Sequence, residues 1–461
     1  DDMSADSIGV FGCELEGTSP NVDKLASEGI RFDKAHVQVG NCFPSRNVLF
    51  SGLFPHTTGG DGFYQVRDFT FQPMCDLMQG AGYYVAIRGK VSHSTPYQPY
   101  HWDADLTIQE DGTKEHIKDV PSYGRSTRRG IEAAAEAGKP FVLNINISDP
   151  HKPFWKPGDK HPASREFTAA EVPVPGFLFE DSVVREELAL YYTSVRRADD
   201  AVGEILKAIE ETGHKDDTIV FFLSDHGMPL PFAKTQLYHH STRTPWIVRW
   251  PGVSPAGALN TNDMISAVDL VPTLCEIVGI ETPQGLAGAS FLRALEGKET
   301  GAHRFVIKSY AENSGGVRHP MRAIETPDYL YIFNPWSNGE RAFKTATQGT
   351  ATYKRMRELA ESDEAIAARL ALFDHRVLEE FYDVRADPDC LINLVDHPDH
   401  AEALASHRRK LRRWMKEHQD PILAAFELRN DLPSLDAMMD EIEAEAKARR
   451  AEKRKKKKAK G

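Results

Sequence analysis

The sequence predicts an α/β fold, a mixed sheet flanked by helices followed by a smaller C-terminal α+β domain, and two patterns carry that prediction. Apolar runs of strand length at 83–87, 141–147 and 218–223 each stop at polar residues, and helical segments such as 187–212 separate them. After about Gly297 the pattern changes to shorter strand-like pieces at 304–310, 321–324 and 329–333, then helical stretches at 353–370 and 400–418. A length of 461 residues also exceeds what one core usually organises.

Taken in order, the three long apolar runs are the strands of the first domain. Ligands of open α/β sheets collect beyond the carboxyl ends of strands, and Lys90, His151 and Asp225 fall there, so three chemically useful side chains are expected on one rim. Cys42 precedes the apolar helical segment 47–53. It therefore sits near a helix N-terminus, where backbone N–H groups and the helix dipole favour an anion. Alone, such a cysteine is more often a small buried side chain.

The expected boundaries are a catalytic domain over 1–297, an α+β subdomain over 298–430 and a charged, helical or disordered basic tail over 431–461. Hydrophobic and charged fractions of 41% and 27% are ordinary for a globular chain, and no run of about 18 apolar residues offers a membrane span. Residues 447–461 hold ten Lys or Arg against one Glu, so the rest of the chain bears −21 within a total of −12. The tail is read as solvated, with an anionic polymer or nucleic acid as its alternative partner and no specific nucleic acid expected. Five widely spaced cysteines without a Cys-x-x-Cys pair argue against a zinc site or a disulfide framework.

Motifs then sharpen the chemistry. Cys42-Phe43-Pro44-Ser45-Arg46 resembles the signature at which type I sulfatases have a cysteine oxidised to formylglycine, and the segment from Ser51 to Gly59 resembles the stretch downstream of that signature. Asp1-Asp2, the stretch from Ser19 to Ala26, and Ser224-Asp225-His226-Gly227 resemble other parts of the same pattern in the same order. Met228-Pro229-Leu230-Pro231, Lys234-Thr235, Asp149-Pro150-His151 and His319-Pro320-Met321-Arg322 are similar to the sulfamidase (heparan N-sulfatase) branch. Gly89-Lys90-Val91-Ser92-His93 resembles the iduronate sulfatase branch instead, as does His226 where sulfamidases carry Asn, and Ser148 stands where they carry His.

The resemblance implies an alkaline-phosphatase-like fold and a sulfuric ester hydrolase. It implies Ca2+ held by Asp1, Asp2, Asp225, His226 and the matured Cys42, which suits a hard cation that takes about six to eight mostly oxygen donors. It further implies that Arg46, Lys90, His93, His151 and Lys234 clamp the sulfate and move protons, with Arg46 holding the formylglycine hydrate and His93 deprotonating its second hydroxyl. The expected partners are a sulfated saccharide substrate and a formylglycine-generating enzyme, in a periplasmic, secreted or lysosomal setting. Because the family has a strand before its Asp-Asp pair, the sheet is expected to lack its first strand and Asp1 and Asp2 to be poorly anchored. A phosphonate or phosphate monoester hydrolase and a non-catalytic sulfated-glycan-binding protein are the alternatives.

Overall fold

The computed structural model describes residues 1–95, 97–298, 300–301 and 304–458, without the side chains of 453, 454 and 456–458. The first domain carries seven strands: β1 (Ile30–Phe32), β2 (Tyr84–Arg88), β3 (Ala104–Asp105), β4 (Phe141–Ile145), β5 (Val220–Leu223), β6 (Trp246–Arg249) and β7 (Ala258–Asn260). They form two sheets, β3-β2-β4 and β5-β6-β1-β7. The first is wholly parallel, with Val85 opposite Val142 and Ile87 opposite Asn144. Val85, Ala86 and Ile87 are buried on consecutive positions, as a parallel strand covered on both faces requires. The second sheet mixes antiparallel β5·β6 and β6·β1 pairs with parallel β1·β7.

Between β4 and β5, each the end strand of its sheet, lies a cavity of about 600 Å3. Its walls are mainly apolar, with Val142, Ile147, Val220 and Phe222 among them, and Asp1, Arg46 and Asp225 stand at its rim.

Helix Ser182–Glu211 buries a stripe of Val184, Leu188, Tyr191, Val195, Ala198 and Val202, spaced three and four residues apart. Asp181 caps it by accepting the Val183 N–H at 2.8 Å. Helix Val120–Glu136 packs beside it and over the first sheet. Gly130 permits that approach, since a Cβ there would stand 2.8 Å from Leu143 Cδ2.

The C-terminal sheet contains β8 (Val306–Glu312), β9 (Arg318–Glu325), β10 (Tyr329–Phe333) and β11 (Glu379–Asp383), all antiparallel in the order β11-β10-β9-β8. Helix Ala401–Glu417 packs on β9 and β10. The single helix expected over 353–370 is two, Ala351–Leu359 and Glu364–His375. Asp363 breaks it, because its Oδ1 accepts the N–H groups of Ala365 and Ile366 and starts a new helix there. Helix Leu432–Lys458 runs through most of the basic tail, whose residues 459–461 lie outside those described. None of the described helices is long and apolar enough to cross a membrane.

The expected weak anchoring of the first two residues is corrected by the structure. The Asp2 N–H donates to Asp225 Oδ1 at 3.0 Å, the Met3 N–H donates to Ser224 Oγ at 3.0 Å, and both aspartate side chains are fully buried. Hydrogen bonds to the loop after β5 hold both residues in place.

Candidate active site

Helix Cys42–Ser51 begins at Cys42, after Asn41 in extended backbone, and all ten of its residues are buried. A helix enclosed on every side must satisfy its own polar groups. Ser45 Oγ accordingly donates to the Asp225 carbonyl at 2.6 Å, and Arg46 Nε donates to Asp225 Oδ2 at 2.9 Å. Arg46 Nη1 donates to Asn146 Oδ1 at 2.5 Å and Nη2 lies 3.5 Å from Asp1 Oδ1. The guanidinium thus joins the end of β4 to the end of β5.

Around it stand three carboxylates, two lysines and a histidine. Lys90 Nζ is 2.5 Å from Asp1 Oδ2, and Lys234 Nζ is 2.6 Å from Asp2 Oδ2. His226 Nδ1 lies 2.9 Å from the Gly227 carbonyl, which turns Nε2 toward Asp2 Oδ1 at 3.0 Å and Asp225 Oδ1 at 3.8 Å. Asp2, Lys90 and Thr235, beside Lys234, all adopt positive φ. Non-glycine residues in that region cost roughly 1 kcal/mol or more each, and they gather here because the site fixes them.

Asp1, Asp2, Asp225 and His226 offer ligand atoms within 4.8 Å of one another. Both Asp1 carboxylate oxygens are buried with ion-pair contacts to Lys90 and Arg46 but no hydrogen bond of regular geometry, and His226 Nε2 is buried in the same condition beside Asp2. Buried carboxylate oxygens with lone pairs to spare favour a further cation. The donor set therefore fits a hard divalent ion. His36, His239 and Glu325 form a second cluster of ligand type, but there each member has a partner: Glu325 takes Lys308 and His239 Nδ1, and His36 lies against Thr242 and Glu325. The second cluster is a structural network.

The electrostatics follow the geometry. Burial works to raise the carboxyl pKa of Asp2, but Lys234 and His226 outweigh it and hold it well below the usual range. Burial likewise opposes ionisation of Asp225, and Arg46 with His226 overcomes it. Burial would lower His226, yet Asp225 and Asp2 raise it to about 9 in the absence of a metal ion. Burial pushes the Cys42 thiol up, and a hydrogen bond with His226 together with the Lys234 charge brings it below its ordinary value. Burial lowers His93 to about 4, helped by Lys90 and Arg46, and burial lowers His151 to about 4 against the pull of Asp2. Both rings are neutral near pH 7.

The structure gathers every candidate residue at this centre: Asp1, Asp2, Cys42, Arg46, Lys90, His93, His151, Asp225, His226 and Lys234. Others were missed by reading the sequence. Phe43 and Phe63 pack on the His93 ring at 5.2 and 6.0 Å, and Asn146 orients Arg46. Lys118 Nζ donates to Asp149 Oδ1 at 2.6 Å and to the His151 carbonyl at 2.8 Å, while Arg197 takes Asp149 Oδ2 at 2.7 Å. A pair of buried cations on one aspartate next to a candidate histidine has no local sequence pattern. Nearby, His101, Trp102 and Asp103 spend their polar atoms on Asp76, Thr95 and the Val85 N–H.

The mixed sheet with flanking helices, and carboxylates and cations gathered at its strand ends, are those of the alkaline-phosphatase-like fold. Solved structures share it: a 2-O GAG sulfatase (TM-score 0.66, 20% identity, 91% of each chain) and a protein in complex with its substrate D-glucosamine-2-N,6-O-disulfate (TM-score 0.67, 18% identity, 91% of this chain and 97% of that one). The phosphonate monoester hydrolase of Agrobacterium radiobacter has the same fold (TM-score 0.65, 18% identity, 91% of this chain and 94% of that one). The sulfatase family model matches residues 1–280, and the model of the N-sulphoglucosamine sulphohydrolase C-terminal region matches residues 225–337. The chain belongs to the sulfatase family, and it is a sulfuric ester hydrolase. It is 27% identical to human N-sulphoglucosamine sulphohydrolase over 88% of this chain and 87% of that protein. It is 25% identical to an ulvan-active sulfatase of Formosa agariphila over 86% of this chain and 70% of that protein.

Proposed function

We propose that this chain removes sulfate from a sulfated saccharide, an N-sulfated glucosamine unit first and an O-sulfated sugar second, after Cys42 is matured to formylglycine. The observation that carries the reading is the place of Cys42. It starts a buried helix within reach of His226 and Lys234, beside three carboxylates matched by three cations. The human N-sulphoglucosamine sulphohydrolase and the match to its C-terminal family model support the choice of sugar.

Once matured and hydrated, residue 42 would offer one hydroxyl for attack on sulfur and a second for release of sulfate. Asp1, Asp2, Asp225, His226 and residue 42 would hold Ca2+, which would supply Lewis-acid polarisation of the sulfate. Arg46, fixed by Asp225 and Asn146, orients residue 42 through the helix that both share. Lys90 and Lys234 set positive charge where the sulfate oxygens gain negative charge. His93, neutral because of its burial and the nearby lysines, accepts the proton of the second hydroxyl. His151 lies within electrostatic reach of Asp2, Lys234 and Lys90, and the charge of a bound sulfate would favour its protonated form, from which it protonates the departing oxygen or nitrogen.

The test is a panel of N-, 2-O- and 6-O-sulfated saccharides, with an aryl phosphonate as comparison, assayed for product release with matured protein. Peptide mass spectrometry in parallel should find residue 42 about 18 Da lighter than cysteine. Faster turnover of the phosphonate than of every saccharide would overturn the substrate class. Full turnover with wholly unmodified Cys42 would overturn the nucleophile. A protein that binds the saccharides but releases no sulfate when matured would be a glycan-binding protein.

A further inference from the structure

A chain of contacts leads from the candidate active site to the C-terminal helix Leu432–Lys458. Phe63 packs on the His93 ring, and its neighbour Gly62 lies so close to Glu312 that a Cβ would stand 2.2 Å from Oε1. Glu312, on β8, receives Arg449 Nη2 at 2.5 Å. One residue further along the helix, Arg450 Nη1 donates to the Gly316 carbonyl at 2.5 Å, with its alkyl stem 3.3 Å from the place a Cβ of Gly316 would occupy. Close by, Arg318 Nη2 is 2.8 Å from Asp61 Oδ2. The helix is therefore fastened beside the segment 61–63 that leads to His93.

Charge distribution gives this fastening a use. Arg449 and Arg318 are matched by Glu312 and Asp61, whereas the only hydrogen bond described for Arg450 is to a carbonyl oxygen, which cancels no charge. Beyond Arg450 the sequence adds seven Lys or Arg between 453 and 460 and no acid after Glu452. The remainder of the chain, at −21, repels polyanions. A free tail would swing its charge through solvent, but two anchors hold the base of this one at the edge of the candidate site.

We propose that the end of this helix is an electrostatic arm that binds the part of a polyanionic sulfated glycan lying outside the residue being cleaved. The choice of polyanion rests on the sulfated-saccharide reading above. Polymeric or oligomeric substrates would be drawn to the mouth of the site, and a single small sulfate ester would gain nothing from the arm.

Two full-length variants test this, K455Q/K456Q/K457Q/K458Q, which removes outer charge, and R449Q/R450Q, which releases the anchors and keeps the outer charge. The probes are a heparin dodecasaccharide, measured by calorimetry between about 50 and 200 mM NaCl where counterion release has a large effect, and 4-nitrophenyl sulfate for turnover. Each variant should weaken dodecasaccharide binding at least fivefold, flatten its salt dependence, and raise the saccharide KM relative to the aryl sulfate KM. Wild-type binding in both variants would overturn the arm, and wild-type binding in R449Q/R450Q alone would overturn its anchoring. Duplex DNA bound as tightly as the dodecasaccharide at equal charge would also overturn it, as a nonspecific cationic tail. Arm-dependent binding without sulfate release would instead count against the hydrolytic reading and leave the arm standing.

Discussion

Lys234 places its ammonium nitrogen 2.8 and 2.6 Å from the two carboxylate oxygens of Asp2, with both side chains buried. Truncating one partner of a buried ion pair strands the other. K234A should therefore lose turnover and also about 3–5 kcal/mol of stability. Urea unfolding at neutral pH measures this, and a loss below about 1 kcal/mol would show that Asp2 finds another partner.

Asp225 has a comparable double role, since it accepts from Arg46 and from the Asp2 N–H. D225N keeps the shape and removes the charge. Chelation should abolish wild-type turnover and added Ca2+ should restore it, while D225N stays inactive throughout. Saturating Ca2+ at about 100 times its Kd should stabilise the wild-type protein by about 2.7 kcal/mol and D225N by much less. Equal thermal shifts in the two proteins would refute the ligand role.

Lys118 acts through others. It holds Asp149 and the His151 carbonyl, so K118M should loosen the loop that presents His151. A small misplacement of a reacting group can cost about 100-fold in rate, and we expect kcat to fall at least tenfold with KM little changed. K118R should restore part of the rate. A fall in stability with unaltered kcat would leave Lys118 a purely structural residue.

His240 bridges two acids, with Nδ1 2.7 Å from Asp6 Oδ2 and Nε2 3.0 Å from Asp389 Oδ1. Burial opposes its charge, but Asp389 and Asp6 raise its pKa to about 9 from 6.5. A raised histidine stabilises the fold fully below about pH 6.5, and the contribution disappears as pH climbs through about 9. The shift sets an upper bound of about 3 kcal/mol. Melting temperature should decline over that window, and H240Q should flatten the decline. An unchanged alkaline slope in H240Q would assign the effect elsewhere.

Much of this was legible in the sequence, for identifiable reasons. β2 and β10 coincide with apolar runs because they are buried along most of their length, and β4 and β5 because their side chains line the apolar cavity between them. β11, Glu379-Glu380-Phe381-Tyr382-Asp383, gave no such signal. Its buried Glu380 is satisfied by Tyr238, Tyr382 and Asn334, which lie far apart along the chain or on the same strand. β1 has only three residues, too few for periodicity to show. The charged centre was readable because its residues sit in motifs. Lys118, Asn146 and Phe63 were not, since each is an ordinary residue given its role by a neighbour brought in through folding.

Arg46 is the rivet between the two sheets of the first domain, held by Asn146 after β4 and by Asp225 after β5. A planar fork of donors reaches both at once, whereas the single ammonium of a lysine would have to choose between them. Position 46 is therefore one where keeping the charge does not keep the joint.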